Sequence, residues 1–246
     1  MIQRAFIGSL IILSSCFLFS CSKDKPAAST PPVTGGPGEV VGGTYSSDDL
    51  LVFKQMAIYG SALRIINKWP KKVAYYIVDT QYDYLTQEVD AVLKEINSLL
   101  DTNLVLTRTN VRSESNVQIF FTDRNTYLMA EPDAAPTLYN STYGGLSYLR
   151  QQEGTLTSGS VFVDMERAKD NIPVQRYLVH HEIMHSLGFR GHATLTGIYT
   201  VLFYYTLMPY ILNYTPFDKR MIQLLYNPLI KEGMGEEQVD KIVKAL

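Results

Sequence analysis

All four histidines of this 246-residue chain lie between His180 and His192, and their spacing constrains the local fold more than any other feature of the sequence. His181 and His185 stand four residues apart with Glu182 between them, in the pattern HExxH. On an α-helix, residues four apart are separated by roughly 40° beyond one full turn, so both imidazoles project from one face. The segment is therefore predicted to form a helix that presents two nitrogen ligands to one metal ion, Zn²⁺.

Glu182 is the candidate general base of this motif. It is displaced by roughly 100° from His181 around the helix, which places its carboxylate beside the metal rather than on it. From there it can take a proton from a zinc-bound water, whose pKa zinc lowers to about 7. A purely structural zinc site would not require a carboxylate at this position, so Glu182 favours a catalytic site.

A catalytic zinc site needs a third protein ligand and an open coordination position. The HExxH motif continues as SLGFRGH, and this stretch resembles the HExxHxxGxxH signature of the metzincin clan of zinc peptidases. Gly188 matches the glycine at which the metzincin helix stops and the chain turns back. Gly191 occupies the slot of the third histidine, and His192 follows one residue later. We take His192 as the third ligand, because a glycine before it permits a wider turn.

Other residues stay open as the third ligand. Some zincins take a glutamate or an aspartate from later in the chain, and four acidic residues are available there: Asp218, Glu236, Glu237 and Asp240. None of them sits in a recognisable helix-borne partner motif. His180 points to a different face of the helix from His181, and is interpreted as a polar residue near the surface.

A second resemblance to metzincins lies downstream, in the sequence TLMPY. Metzincins carry a tight Met-turn beneath the metal, and some place a tyrosine two residues after the methionine. The resemblance implies that Met208 forms the hydrophobic floor of the site and that Tyr210 binds the metal reversibly or steadies the tetrahedral intermediate. The alternative is that residues 198–212 form a buried apolar run, which is too short to span a membrane.

The remaining pattern predicts an α+β fold. Strand-like runs occupy residues 72–79, 104–109, 117–122, 146–150 and 160–165, and an amphipathic helix with i, i+3, i+4, i+7 spacing follows the first of them. Helices are also predicted over residues 46–66, from Asp170 or Asn171 to Gly188, from Thr215 onward, and over residues 235–246. The resemblance to metzincins implies a zincin-like twisted mixed sheet of four to five strands, with two long helices and a mainly helical C-terminal subdomain.

The N-terminus has the composition of an export signal. A basic start is followed by an apolar stretch and by the sequence LFSC, which resembles a bacterial lipobox that would make Cys21 the lipidated first residue. The only other cysteine, Cys16, lies inside the signal, so the mature domain contains no disulfide. We predict a signal peptide over residues 1–20, a flexible tether over 21–43, and a domain over 44–246, with upper and lower subdomains divided near residue 188.

These features together predict a lipid-anchored zinc peptidase of the bacterial envelope that acts on peptides or proteins as a monomer, facing the periplasm or the cell surface. A formal net charge of −2 gives no electrostatic footprint for nucleic acid. The alternative is a non-catalytic lipoprotein that captures proteins or glycans and carries a structural or vestigial zinc site. No feature of the sequence defines a specificity pocket.

Overall fold

The structure is a computed structural model that describes residues 45–100, 104–139, 144–203 and 211–246. All of these described residues belong to one compact unit. No helix within the described ranges is long and apolar enough to cross a membrane.

A mixed five-stranded sheet forms the centre of the described fold, in the order β2-β1-β3-β5-β4. The strands are β1 (Val73–Ile77), β2 (Leu106–Arg108), β3 (Val117–Thr122), β4 (Gly145–Gln152) and β5 (Thr155–Asp164). The first four in sheet order run parallel, and β4 pairs antiparallel with β5 at the sheet edge. Glu153 and Gly154 join these two strands with φ angles of 50° and 88°, the left-handed pair that a two-residue hairpin turn requires.

Seven α-helices surround the sheet in the described part of the chain. They are α1 (Ser47–Lys54), α2 (Asp83–Leu99), α3 (Arg124–Ala130), α4 (Ala135–Tyr139), α5 (Ile172–Ser186), α6 (Pro216–Leu225) and α7 (Glu236–Val243). A π-helix, Gln55–Tyr59, continues α1. The two long helices, α2 and α5, pack against each other, and α5 also crosses β4 and β5.

The alternation of side chains along the central strands divides the core into two layers. Ile119 and Phe121 of β3 face the larger cluster, which includes the buried side chains of α2 and α5. Phe120 points to the opposite face, where Tyr127 of α3 stacks on Phe162 with ring centroids 4.5 Å apart. Helix α5 packs on β4, β5 and α2, and its buried residues lie on several of its sides.

The structure confirms the five predicted strands and the α+β class, and it corrects the predicted helix over residues 46–66. That helix ends as regular α-helix at Lys54 and as π-helix at Tyr59. The chain then turns through Arg64, whose φ is 53°, and Ile65 forms a β-bridge with Gly235. The short helices α3 and α4 were not predicted from the sequence.

Candidate metal centre

Helix α5 carries the HExxH motif, and its two ends are defined by the predicted residues. Asn171 caps the start, where its side chain accepts a hydrogen bond from the Val174 N–H at 3.2 Å, and Pro173 lies in the first turn. Gly188 follows the end of the helix with a φ of 120°, a conformation that favours glycine. A Cβ atom at Gly188 would lie 1.9 Å from the Asn67 carbonyl oxygen, so the turn also requires glycine for space.

Three histidine nitrogens converge at one point. The His185 Nε2 lies 3.1 Å from the His181 Nε2 and 3.2 Å from the His192 Nε2, and the third side of this triangle is 3.3 Å. Two nitrogens bound tetrahedrally at about 2.0–2.1 Å from one zinc ion lie about 3.3–3.4 Å apart. The nitrogen triangle therefore has the dimensions expected of three zinc ligands.

The other ring nitrogens of two histidines are held by backbone carbonyls. The Nδ1–H of His181 donates to the Val201 carbonyl oxygen at 2.7 Å, and the Nδ1–H of His185 donates to the Phe189 carbonyl oxygen. A carbonyl oxygen only accepts, so these bonds fix the proton on Nδ1 and leave each Nε2 lone pair directed at the shared point. This is the arrangement by which proteins orient histidine ligands.

Burial keeps the three imidazoles neutral. It lowers the pKa of His181 to about 3 and that of His192 to about 4, and it lowers the pKa of His185 well below its usual range. The mutual repulsion of the rings adds to this effect at His181 and His185. Neutral imidazoles are the form that binds a metal, so protons compete weakly for this site near neutral pH.

Glu182 lies beside the histidine triangle. Its Oε1 is 3.9 Å from the His181 Nε2, and burial raises its pKa well above the usual value. Gly145 of the edge strand makes room for it, because a Cβ atom at Gly145 would lie 2.6 Å from the Glu182 Oε1. The carboxyl group is therefore enclosed between α5 and β4, next to the point where the three histidines meet. No pattern in the sequence indicated the part played by Gly145.

The one-residue displacement of His192 is accommodated by the π-helix. The Gly191 N–H donates to the Met56 carbonyl oxygen at 2.8 Å, and the Thr194 N–H donates to the Gln55 side chain at 3.1 Å. A Cβ atom at Gly191 would lie 2.2 Å from the Gln55 carbonyl oxygen, so the close approach requires glycine. Hydrogen bonds on both sides of His192 thus hold the wider turn against Gln55–Tyr59.

Residues 53–245 match the family described as "Protein of unknown function (DUF2927)". The chain belongs to the DUF2927 family. The matched region contains every residue of the histidine triangle, and it also covers the π-helix and the edge strand. A search of curated proteins finds no relative that matches this DUF2927 chain.

Other candidate ligands of the DUF2927 chain lie apart from the histidine triangle. Asp218 is buried at the start of α6, where it accepts hydrogen bonds from Thr200 and from the Thr215 N–H. Glu236 and Asp240 of α7 form ion pairs with Lys54, at 3.0 and 3.1 Å.

The exposed Glu237 pairs instead with Lys241 in the same helix. Within the described ranges, these acidic residues are therefore committed to capping or to ion pairs, and the only group found with metal-ligand geometry consists of His181, His185 and His192.

His180 is buried, which corrects its interpretation as a residue near the surface. It is 3% exposed, and its Nε2 lies 2.8 Å from the Glu88 Oε1 of α2. Its ring packs edge-on against Tyr214, whose hydroxyl donates to the His180 carbonyl oxygen at 3.0 Å. His180 thus joins α5 to α2 and to the segment before α6, on the side of α5 away from the histidine triangle.

The histidine triangle opens into a cleft of about 510 Å³. The edge strand forms one wall through Gly145 to Leu149, and Gly60, Ala62 and Arg190 form another part of the lining. Arg190 reaches across to β4, where its Nη2 donates to the Leu149 carbonyl oxygen at 2.7 Å. The predicted residues Met208, Tyr210 and Cys21 lie outside the described residues.

Proposed function

We propose that this DUF2927 protein is a zinc-dependent peptidase in which His181, His185 and His192 hold the metal and Glu182 is the general base. The observation that supports this most strongly is the triangle of Nε2 atoms, with sides of 3.1, 3.2 and 3.3 Å, and the Glu182 carboxyl group 3.9 Å from its nearest corner. The donor set fits zinc in number, chemistry and spacing. We further propose that the α+β fold is zincin-like.

Zinc bound by the three histidines would polarise a scissile carbonyl group and lower the pKa of the attacking water. Glu182 would accept the proton of that water and pass it to the amine nitrogen as the peptide bond breaks. Burial alone favours the protonated carboxyl group, and a cation held beside it restores the carboxylate. Glu182 would therefore be in its base form when the histidines hold a metal ion.

The backbone of the edge strand β4 favours a peptide as the substrate. The Asp164 N–H donates to the Gly144 carbonyl oxygen at 2.7 Å, so in the alternating antiparallel ladder Gly145 and Ser147 turn their backbone groups away from β5. An extended peptide could pair with those groups and pass over Glu182. The cleft is partly open to solvent, which leaves an entry for a peptide chain.

The second candidate function is a non-catalytic binding lipoprotein that retains a structural zinc site. The burial of the histidine triangle between α5, the π-helix and residue 201 favours it, because a metal there would tie these segments together. Glu182 separates the two functions, since a structural site does not need its carboxylate. Both proposals include export and attachment to the cell envelope through Cys21, with no nucleic-acid partner.

The deciding experiment compares metal content and peptide cleavage in the purified domain, residues 44–246. We expect about one zinc per chain in the wild type and in Glu182→Gln, and loss of zinc in His181→Ala and His192→Ala. Wild type should cleave members of a randomised peptide library, while Glu182→Gln should be slower by at least about 10³-fold. Equal metal content without cleavage in either protein would reject the peptidase and favour the binding protein.

A further inference from the structure

The backbone around Arg190 is held on both sides. The preceding residue, Phe189, is fully buried and accepts the Nδ1–H of His185, while the Gly191 N–H donates to the Met56 carbonyl oxygen at 2.8 Å. Gly60 packs directly on this segment, because a Cβ atom at Gly60 would lie 2.2 Å from the Arg190 carbonyl carbon. The side chain of Arg190 therefore starts from a fixed point and enters the cleft.

The guanidinium group of Arg190 lies in the cleft without a carboxylate partner among the described residues. No Asp or Glu oxygen in the described ranges forms a salt bridge with it, and its recorded hydrogen bond is from Nη2 to the Leu149 carbonyl oxygen at 2.7 Å. Arg150, on the same strand as Leu149, has the opposite arrangement, since it pairs with Glu131 at 2.7 Å and with Asp133 at 3.4 Å.

A guanidinium group has five N–H donors, and one hydrogen bond to a carbonyl oxygen leaves most of them for another acceptor. Partial burial removes water from the charge, which makes an anion that can enter the cleft a favourable partner. Carboxylates and phosphates both match the planar fork of arginine and accept two parallel hydrogen bonds, and of the two only a carboxylate occurs in an unmodified peptide. The chemistry of Arg190 therefore favours a substrate carboxylate.

The position of Arg190 along β4 limits which carboxylate of the substrate could bind to it. Leu149 lies four residues beyond Gly145 in an unbroken stretch of the ladder, which is about 14 Å at the usual strand rise. Gly145 touches Glu182, whereas Arg190 meets the strand at Leu149, so the anion would lie farther along β4 than the Glu182 carboxyl group. An acidic side chain of a peptide that lies along β4 could reach this position.

We propose that Arg190 forms a subsite for an acidic side chain of the substrate, so that the cleft selects acidic peptide segments. This inference rests on the proposed peptidase function, because it treats the bound peptide as a substrate. A measurement of peptide binding is sufficient to test it. Arg190 acts on specificity, and it is not one of the residues proposed to hold the metal or to move the proton.

The probes are two pools of randomised decapeptides that lack other acidic residues, carry amidated C-termini and an uncharged dye, and differ only in one central Glu or Gln. Fluorescence anisotropy is measured with zinc-loaded Glu182→Gln, which prevents turnover. We expect the Glu pool to bind about tenfold more tightly than the Gln pool, with a preference that falls as salt is added. Adding Arg190→Gln should abolish the preference, and adding Arg150→Gln, the matched control, should keep it.

Equal affinity for the two pools, a preference that survives Arg190→Gln, or no binding of either pool at millimolar concentration would each overturn the subsite. Failure of the peptidase proposal has a different signature. In that case the Glu preference and its dependence on Arg190 are present, but zinc-loaded wild type cleaves neither pool. Circular dichroism and zinc content of the Arg190→Gln variant show that its lost preference does not come from a lost fold.

Discussion

Replacing Gly145 is expected to separate metal binding from proton transfer without changing Glu182 itself. A Cβ atom there would lie 2.6 Å from the Glu182 Oε1 and 2.9 Å from its Cγ, and its three nearest neighbours are all atoms of Glu182. We expect Gly145→Ala to keep about one zinc per chain and to lower kcat by about 10²-fold, because the carboxyl group must shift. The measurement is zinc content together with peptide cleavage.

The control for that substitution is Gly144→Ala. Its added Cβ atom would meet a methyl group of Leu178 at 3.1 Å, and this methyl group can move more easily than an enclosed carboxyl group. The Gly144 variant should therefore cleave peptides within a few-fold of the wild type. Equal losses in both variants would contradict a specific role for Gly145.

Asp218 is predicted to support the metal site through Val201. Its carboxylate accepts hydrogen bonds from the Thr200 hydroxyl and from the Val201 N–H at 3.3 Å, and the Val201 carbonyl oxygen holds His181. We expect Asp218→Asn to weaken zinc affinity by about 10- to 100-fold, as loss of such supporting contacts commonly does. A competition titration against a chromophoric chelator measures this.

The exposed Asp90, which pairs with Arg108, provides the control for Asp218. Asp90→Asn should leave zinc affinity unchanged. Asp218 also caps α6 by accepting the Thr215 N–H at 2.9 Å, so urea unfolding of the metal-free variant should be measured as well. Lower stability with unchanged zinc affinity would restrict Asp218 to capping.

At the scale of elements, the π-helix Gln55–Tyr59 and the turn after α5 form one unit. The wider turn that delivers His192 depends on the hydrogen bond from Gly191 to Met56, at 2.8 Å. Deleting Gly191 would restore the shorter HExxHxxGxxH spacing, yet we expect it to reduce zinc binding by at least about 10²-fold. The deletion removes that hydrogen bond and pulls His192 away from its anchors, while Ala193 remains bridged to Phe203.

Elemental analysis and circular dichroism of the deletion variant check this prediction, with Leu63→Ala as a control in the same region because its side chain is 61% exposed. The control should keep both its zinc and its fold. Stronger zinc binding by the deletion variant would mean that the shorter spacing is sufficient, and that the π-helix does not determine the position of His192.

At the scale of the whole molecule, the buried histidines make the stability of the metal-free domain depend on pH. Their pKa values lie below 6.5 in the folded state, at about 3 for His181 and about 4 for His192, so they take up protons only on unfolding. Their contribution is complete above about pH 6.5 and is lost as the pH falls from about 6.5 through about 4 for His192 and about 3 for His181. The pKa of Glu182 is raised in the folded state, so Glu182 releases one proton on unfolding, whereas the three histidines take up one each.

The net uptake of about two protons predicts that the free energy of unfolding falls by about 2–3 kcal/mol per pH unit between pH 6 and 5. Urea unfolding in the presence of a chelator measures this slope. Replacing the three ligand histidines by Asn should flatten it to the slope set by the remaining groups. An identical slope in that variant would show that the histidines are not buried as neutral rings.

The sequence predicted those parts of the fold that depend on local spacing. The period of the apolar residues identified α2, and the alternating strands identified β3 and β5, because these patterns are properties of neighbouring residues. Helices α3 and α4 were missed, since they are short and are stabilised by a cap at Asp123 and by packing on Phe162. The end of the first helix was misplaced because the turn after Tyr59 is set by contacts with Gly191 and Gly235.

The candidate site also has some features that follow from local spacing and others that depend on tertiary contacts. The sequence by itself determined that His181, Glu182 and His185 share one stretch of helix, because the i, i+4 geometry of a helix is independent of the rest of the fold. Only the tertiary structure decided that His192 completes the triangle, that β4 encloses Glu182, and that Arg190 faces the cleft. These relations depend on contacts between segments far apart in the chain, whose distances no local spacing contains.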